Sequence, residues 1–269
     1  MPSYLLTIAY DGTPFHGWQR QDGFDTVQER LESAFATILG ESTAVHGAGR
    51  TDAGVHALRQ CAHVQITKAF ACNVLQRALN GNLPDAIVVR AVREVPARFH
   101  ARFDAIGKRY AYRFWCSPQR PVLGLERFCW VKRPLHLDPM RRAARALLGT
   151  HDFASFATNP GYVRKRGTVR TISALRLVRR PHGIDLVIQG NGFLYNMVRT
   201  IAGTLLDVGR GKLVADDVSA ILDSKDRREA GATAPPTGLY MLRVLYSEPV
   251  FRGRDRGPRG VPGLFQYGS

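Results

Sequence analysis

Apolar and polar positions along this chain fall into two periods that separate strands from helices. Residues 3–10, SYLLTIAY, form an apolar run closed by Asp11-Gly12-Thr13-Pro14, which predicts a buried strand and a turn. Behind the capping box Thr26-x-x-Glu29, the residues Val27, Leu31, Phe35 and Ile38 recur at helical spacing, and Gly40 ends the helix. At 60–66, Cys61, His63 and Gln65 alternate with Ala62, Val64 and Ile66, the mark of a strand. A short helix over 72–80 stops at Asn80-Gly81, and AIVVRAVREV (86–95) reads as a further strand. The N-terminal part is therefore β–α–β–α–β, an α/β sandwich. No G-x-G-x-x-G follows a strand, which argues against a dinucleotide fold.

A change of composition places a domain boundary near 104, giving halves of 1–104 and 105–250. Residues 98–116 end in a strand with Tyr110, Tyr112 and Phe114 on one face and Arg109, Arg113 and Trp115 on the other. Asp138-Pro139 cap and start a helix with a stripe of Met140, Ala143, Ala144, Leu147 and Leu148, closed by Gly149. Two strands over 168–190, joined by Pro181-His182-Gly183, make a hairpin. In GNGFLYNMVRTIAGTLLDVGRGK (190–212), Leu194, Met197, Val198, Ile201 and Leu205 form a core-facing stripe that Gly209 ends. A small helix at 216–223 and a final strand, LYMLRVLY, follow. Residues 251–269 are rich in Gly, Pro and Arg, can build no core, and are expected to form a mobile tail with some contact to RNA.

Charge adds the strongest bulk signal. The 269 residues carry 38 basic and 22 acidic side chains, net +16, and only six of the basic residues are Lys. Arginine's planar fork suits phosphate oxygens and base edges, so nucleic acid is the expected partner. Cys61, Cys72, Cys116 and Cys129 show neither C-x-x-C spacing nor a disulfide framework, and no metal site is expected. With no leader-like N-terminus and no apolar run long enough to span a membrane, a cytoplasmic protein is expected.

Candidate chemistry centres on His46–Gln60, HGAGRTDAGVHALRQ, whose one carboxylate is Asp52. Gly47, Gly49 and Gly54 let the backbone turn tightly and approach a ligand. Asp52 reads either as a turn aspartate ion-paired to Arg50 or as a carboxylate held close to a reacting group. Arg199 rises from an otherwise apolar helix, sharing a face with Tyr195 and Gly203. It needs a carboxylate, for which Asp52 is a long-range candidate, or it snorkels to solvent. Tyr110 reads equally as part of a platform for an unstacked base and as a sheet-edge core residue. Trp18 is read as a core lid in preference to a base-stacking side chain. Between Asp152 and Asp185 no acid interrupts Arg164, Lys165, Arg166, Arg170, Arg176, Arg179 and Arg180, a run best read as a phosphate contact.

With these pieces in order, the sequence resembles the TruA family of tRNA pseudouridine synthases over about residues 3–246. The resemblance is carried by YDGTPFHGWQRQ, GAGRTDAGVHA, FHARFDAIGKRYAYR, GTHDFASF, TVRTI, NGFLYNMVRTIAGTLLDVGRGK and APPTGLYMLRV. It implies the pseudouridine synthase fold, an α+β class with two α/β halves around a central, mostly antiparallel sheet and a cleft between them. It also implies a homodimer that binds tRNA across both subunits, and isomerisation of uridine at positions 38, 39 and/or 40 of the anticodon stem-loop without metal or cofactor. Residue by residue, Asp52 matches the family's nucleophilic aspartate, Tyr110 the tyrosine that meets the flipped uracil, Arg199 the arginine paired with the aspartate, and Arg50 the arginine linked to base flipping. The competing readings are a non-catalytic RNA-binding α+β module and an N-glycoside hydrolase that frees uracil.

Overall fold

The computed structural model describes residues 1–159, 161 and 167–247. Arg164, Lys165 and Arg166 of the expected phosphate contact, and the tail 251–269, lie outside the described residues.

The strands are β1 (Ser3–Tyr10), β2 (His46–Gly47), β3 (His56–Gln65), β4 (Ile87–Val95), β5 (Ala105–Cys116), β6 (Cys129–Val131), β7 (Gly149–Asp152), β8 (Val169–Arg180), β9 (Gly183–Gly190) and β10 (Leu239–Tyr246). The helices are α1 (Val27–Leu39), α2 (Cys72–Gly81), α3 (Leu137–Ala146), α4 (Met197–Gly209) and α5 (Asp217–Ser224). Among the described residues all ten strands join one sheet in the order β4-β1-β3-β10-β5-β9-β8-β7, with β2 on β3 and β6 on β5. Its pairings are antiparallel except β3 with β10 and β5 with β6. The last strand thus lies at the seam, between β3 of the N-terminal part and β5 of the C-terminal part. This is the expected α+β class with a mostly antiparallel sheet.

Local signals placed most of these elements. Thr26 caps α1 by accepting from the Glu29 N–H, and Gly40 ends it at φ 77°. Strand β3 starts at His56, earlier than the expected 60, because Ala57 pairs with Tyr10 of β1 and His56 with Tyr240 of β10. Helix α3 starts at Leu137, so Asp138 is not its cap; the His136 N–H that precedes it donates to the Gly209 carbonyl at the end of α4 (2.9 Å). Leu148, expected in the core stripe of α3, is half-exposed beyond the helix end. Helix α4 begins at Met197 and not at Leu194, because Asn196 takes a left-handed φ of 61° and breaks the periodic run. Tyr195 therefore stands outside the helix and half-exposed, and it does not share Arg199's helical face. Strands β2, β6 and β7, of two to four residues, are too short for any periodicity and were not expected.

Candidate active site

Asp52 lies in the loop between β2 and β3, and that loop is held by the turn that follows β1. The Trp18 N–H donates to the Thr51 carbonyl (3.0 Å), and the Gly54 N–H donates to the Phe15 carbonyl (3.4 Å). Gly17, at φ +95°, lies so close that a Cβ would stand 2.6 Å from the Thr51 carbonyl oxygen. Trp18 is buried against Gly47, where a Cβ would fall 2.5 Å from the indole, so the lid reading of this tryptophan holds. Two side-chain ties complete the cradle: the Tyr10 hydroxyl with Thr51 Oγ1 (2.7 Å), and Gln60 Nε2 donating to the Gly49 carbonyl (2.9 Å). At the far end His56 is buried, its Nε2 donating to the Glu126 carbonyl (2.9 Å) while its ring stacks on Tyr240. The carboxylate is thus presented by a loop pinned at both ends.

Arg199, in the first turn of α4, meets that carboxylate. Its Nη1 stands 2.8 Å from Asp52 Oδ2, with 16% of the Arg199 side chain and 32% of the Asp52 side chain exposed. The guanidinium is itself oriented: Nε donates to the Ala234 carbonyl (2.8 Å) and Nη1 also donates to Asn196 Oδ1 (3.0 Å). Gly203 makes this possible, since a Cβ there would overlap the Ala232 carbonyl oxygen of the segment that leads to Ala234. The turn-aspartate reading with Arg50 as partner is therefore corrected. Arg50 is exposed at the loop tip and makes no hydrogen bond or ion pair among the described residues.

Tyr110 on β5 supplies a wall beside the pair. Its ring is buried and meets Phe193 edge to face, with centroids 5.2 Å apart. Its hydroxyl makes no hydrogen bond to a described residue. Burial above all, then the nearby Tyr10 and the Asp52 carboxylate, raise its pKa well above the ordinary tyrosine value, so it stays a neutral phenol. Tyr112 and Phe114, on the same face, are fully buried core residues, with the Tyr112 hydroxyl donating to the Pro235 carbonyl (2.8 Å).

Of the expected basic run, Arg170 is described. It sits at the start of β8, opposite His151 of β7, with Nη1 donating to the Gly167 and Val169 carbonyls (3.3 and 2.6 Å). Its side chain reaches Gly192, in the turn before Phe193. Further along β8, Arg180 is no free cation: with Arg113 it flanks the buried Asp185, at 2.8 and 3.1 Å. A fully buried carboxylate between two arginines is a structural device, so Arg180 is engaged within the fold.

Sequence reasoning missed Lys108, which stands two residues before Tyr110 and on the same face of β5. Carrying the Tyr110, Tyr112, Phe114 alternation one step back would have found it. It also missed the carbonyl of Ala234 and the αL Asn196, which orient Arg199; no local pattern announces either. Among the described residues no group of three His, Cys, Asp or Glu side chains is disposed to hold a metal ion. The arrangement joins an oriented carboxylate, a guanidinium that steadies its negative charge, and a neutral phenol on an aromatic wall. Such a set suits nucleophilic or proton-transfer work on a planar, uncharged ring.

Comparison with known proteins agrees with this geometry. The family model described as tRNA pseudouridine synthase matches residues 6–104 and 143–247. A tRNA pseudouridine synthase A of Thermoanaerobacter sp. (strain X514) is 44% identical over 247 residues, 91% of this chain and 100% of that protein. The protein of the same name from Ruminiclostridium cellulolyticum is also 44% identical, over 91% and 100% of the two chains. That of Rhodospirillum rubrum is 43% identical over 91% and 88%. A solved Cbf5-Nop10-Gar1 complex overlaps loosely, with a TM-score of 0.41 at 10% identity over 92% of this chain and 50% of that one, and adds nothing to the assignment.

Proposed function

Because the chain belongs to the tRNA pseudouridine synthase family, and so isomerises uridine in tRNA, we propose that Asp52 is its catalytic carboxylate and that its targets are uridines at positions 38, 39 and/or 40 of the anticodon stem-loop. The observation that carries the site assignment is the 2.8 Å contact of Arg199 Nη1 with Asp52 Oδ2, made beside the buried Tyr110.

The reaction breaks the C1′–N1 bond, turns the uracil and joins C1′ to C5. Asp52 assists departure of the base, by attack on C1′ or by taking the 2′ proton to give a glycal; in either, Arg199 holds the carboxylate in place. The target base must first leave its stack, and the exposed Arg50 of the same loop is assigned to fill the gap. Tyr110 then forms one wall for the flipped uracil, with Phe193 set against it. As a neutral phenol, Tyr110 can pass on the C5 proton only as a relay, giving up its own proton in the same step. The apolar, largely buried wall excludes water that would otherwise hydrolyse the intermediate.

The same reading assigns 1–104 to a half carrying the aspartate loop and 105–250 to a half carrying the basic surface, with Arg170 and the neighbouring Arg164, Lys165 and Arg166 meeting phosphate. It also implies a homodimer that shares each tRNA, and a cytoplasmic location. Supporting the phosphate contact is the net charge of +16; among the described residues no helix is long and apolar enough to cross a membrane. Sedimentation with and without tRNA tests the dimer.

The test of the chemistry uses tRNA carrying tritium at uracil C5, with wild type and Asp52→Asn side by side. Release of label to water by wild type alone, the base staying on the RNA, is the expected result. Tight RNA binding without release in either would leave only a binding module, and free uracil would indicate hydrolysis.

A further inference from the structure

We propose that Lys108 is a phosphate-binding residue of the catalytic cleft, its ammonium seating a backbone phosphate of the strand that carries the flipped uridine. The proposal rests on the reading of the Asp52 site given above.

Three observations converge on it. Lys108 shares a face of β5 with Tyr110, so its side chain leaves the sheet one strand step from the wall assigned to the uracil. Its stem lies against the aspartate loop: a Cβ on Gly49 would stand 3.1 Å from both Cε and Nζ. Gly49 immediately precedes Arg50, so the ammonium stands next to the residue placed at the gap left by the base.

The third observation is electrostatic. Lys108 makes no ion pair or hydrogen bond to any described residue. Its neighbours in the sheet, Gly190 on β9 and Val244 on β10, carry no charge. The charged groups that act on it are Arg102, in the loop before β5, and Arg170 of β8, both of its own sign. Burial first, and then this repulsion, bring its pKa down from 10.5 to about 8. A lysine kept at such a cost beside two arginines, with no acid among the described residues acting on it, suits an anion. In an enzyme acting on RNA, that anion is a backbone phosphate. A side chain at Gly49 would press on the ammonium and shift it by a few tenths of an ångström.

The experiment measures binding of an anticodon stem-loop RNA in which each linkage flanking the target uridine is replaced, one at a time, by an uncharged methylphosphonate. Wild type, Lys108→Gln and Lys108→Arg are compared, with tritium release followed on the native RNA. If the proposal is right, one linkage weakens wild-type binding on the order of tenfold, and Lys108→Gln weakens the native RNA by a similar factor. At that linkage the two losses should not multiply, and Lys108→Arg should restore sensitivity. A merely structural lysine would give losses that multiply at every linkage, and that outcome overturns the proposal, as does native binding by Lys108→Gln. Failure of wild type to release tritium would instead sink the enzymatic reading, while the binding comparison would still decide the role of Lys108.

Discussion

Arg199 Nη1 and Asp52 Oδ2 meet at 2.8 Å although 147 positions separate the two residues in the chain. The contact crosses from the first turn of α4 to a loop of the N-terminal part, so it forms only when both halves of the sheet are assembled. One guanidinium uses Nε for the Ala234 carbonyl and Nη1 for Asp52 and Asn196, a division of labour that needs a planar fork.

Lysine cannot reproduce that fork. Arg199→Lys should keep a positive charge near Asp52 and lose its orientation, lowering the rate of tritium release by roughly 10–100-fold with tRNA binding nearly unchanged. Arg199→Met should cost more in rate and about 1–3 kcal/mol in stability, by leaving the Ala234 carbonyl and the carboxylate without their donor. Single-turnover rates and denaturant melts check both; equal rates for wild type and Arg199→Lys would refute the orienting role.

Tyr110 offers a separation of stability from activity. Its hydroxyl makes no hydrogen bond to a described residue, so Tyr110→Phe removes nothing the fold uses. Stability should stay within about 0.5 kcal/mol of wild type or rise, while tritium release falls by roughly 10–100-fold. A variant that melts early would mean that the hydroxyl serves the fold after all.

Gly203 is expected to matter without touching substrate. A Cβ there overlaps the Ala232 carbonyl oxygen, so Gly203→Ala should cost about 1–3 kcal/mol and push Ala234 off the Arg199 Nε. Activity should fall along with stability. Full activity in a folded Gly203→Ala variant would show that the Ala234 contact is dispensable.

Lys108 should show the opposite sign, stability gained as function is lost. Its pKa falls from 10.5 to about 8 on folding. Between those values the unfolded chain holds the proton more tightly, so this group's destabilising effect is full below pH 8 and fades as pH rises toward 10.5. Lys108→Met should therefore be more stable than wild type at pH 7, by roughly 1–2 kcal/mol once partial solvent access is allowed for. The gap should close by about pH 10, as seen in denaturant melts across that range. In parallel, wild-type affinity for tRNA should weaken above pH 8 as the ammonium deprotonates. That loss should be absent in Lys108→Arg, whose guanidinium stays charged.

Regular elements with a full period were legible in the chain. Helix α1 was announced by Thr26, Glu29 and Gly40, and β5 by its alternating aromatics, because capping and side-chain direction are settled by neighbours in sequence. The position of Asp52 was legible for a similar reason, since its loop carries glycines where the side chains of Trp18, Lys108 and Pro236 approach closely. The N-terminus of α4 was not legible: the left-handed Asn196 ends the apolar period and gives Arg199 a local acceptor, which apolar spacing cannot foresee.

The sequence by itself determined which segments become helix, strand and glycine loop, the basic character of the surface, and the family whose motifs the chain carries. Only the tertiary structure decided that Arg199 and not Arg50 holds Asp52, that Arg180 pairs with Asp185, and that Lys108 pairs with no acid among the described residues. Those outcomes depend on β10 entering between β3 and β5, and on α4 approaching the 231–234 segment. Pairings between residues far apart in the chain are set by the packing of the whole sheet. A one-dimensional pattern records which side chains are available for them and says nothing of which will meet.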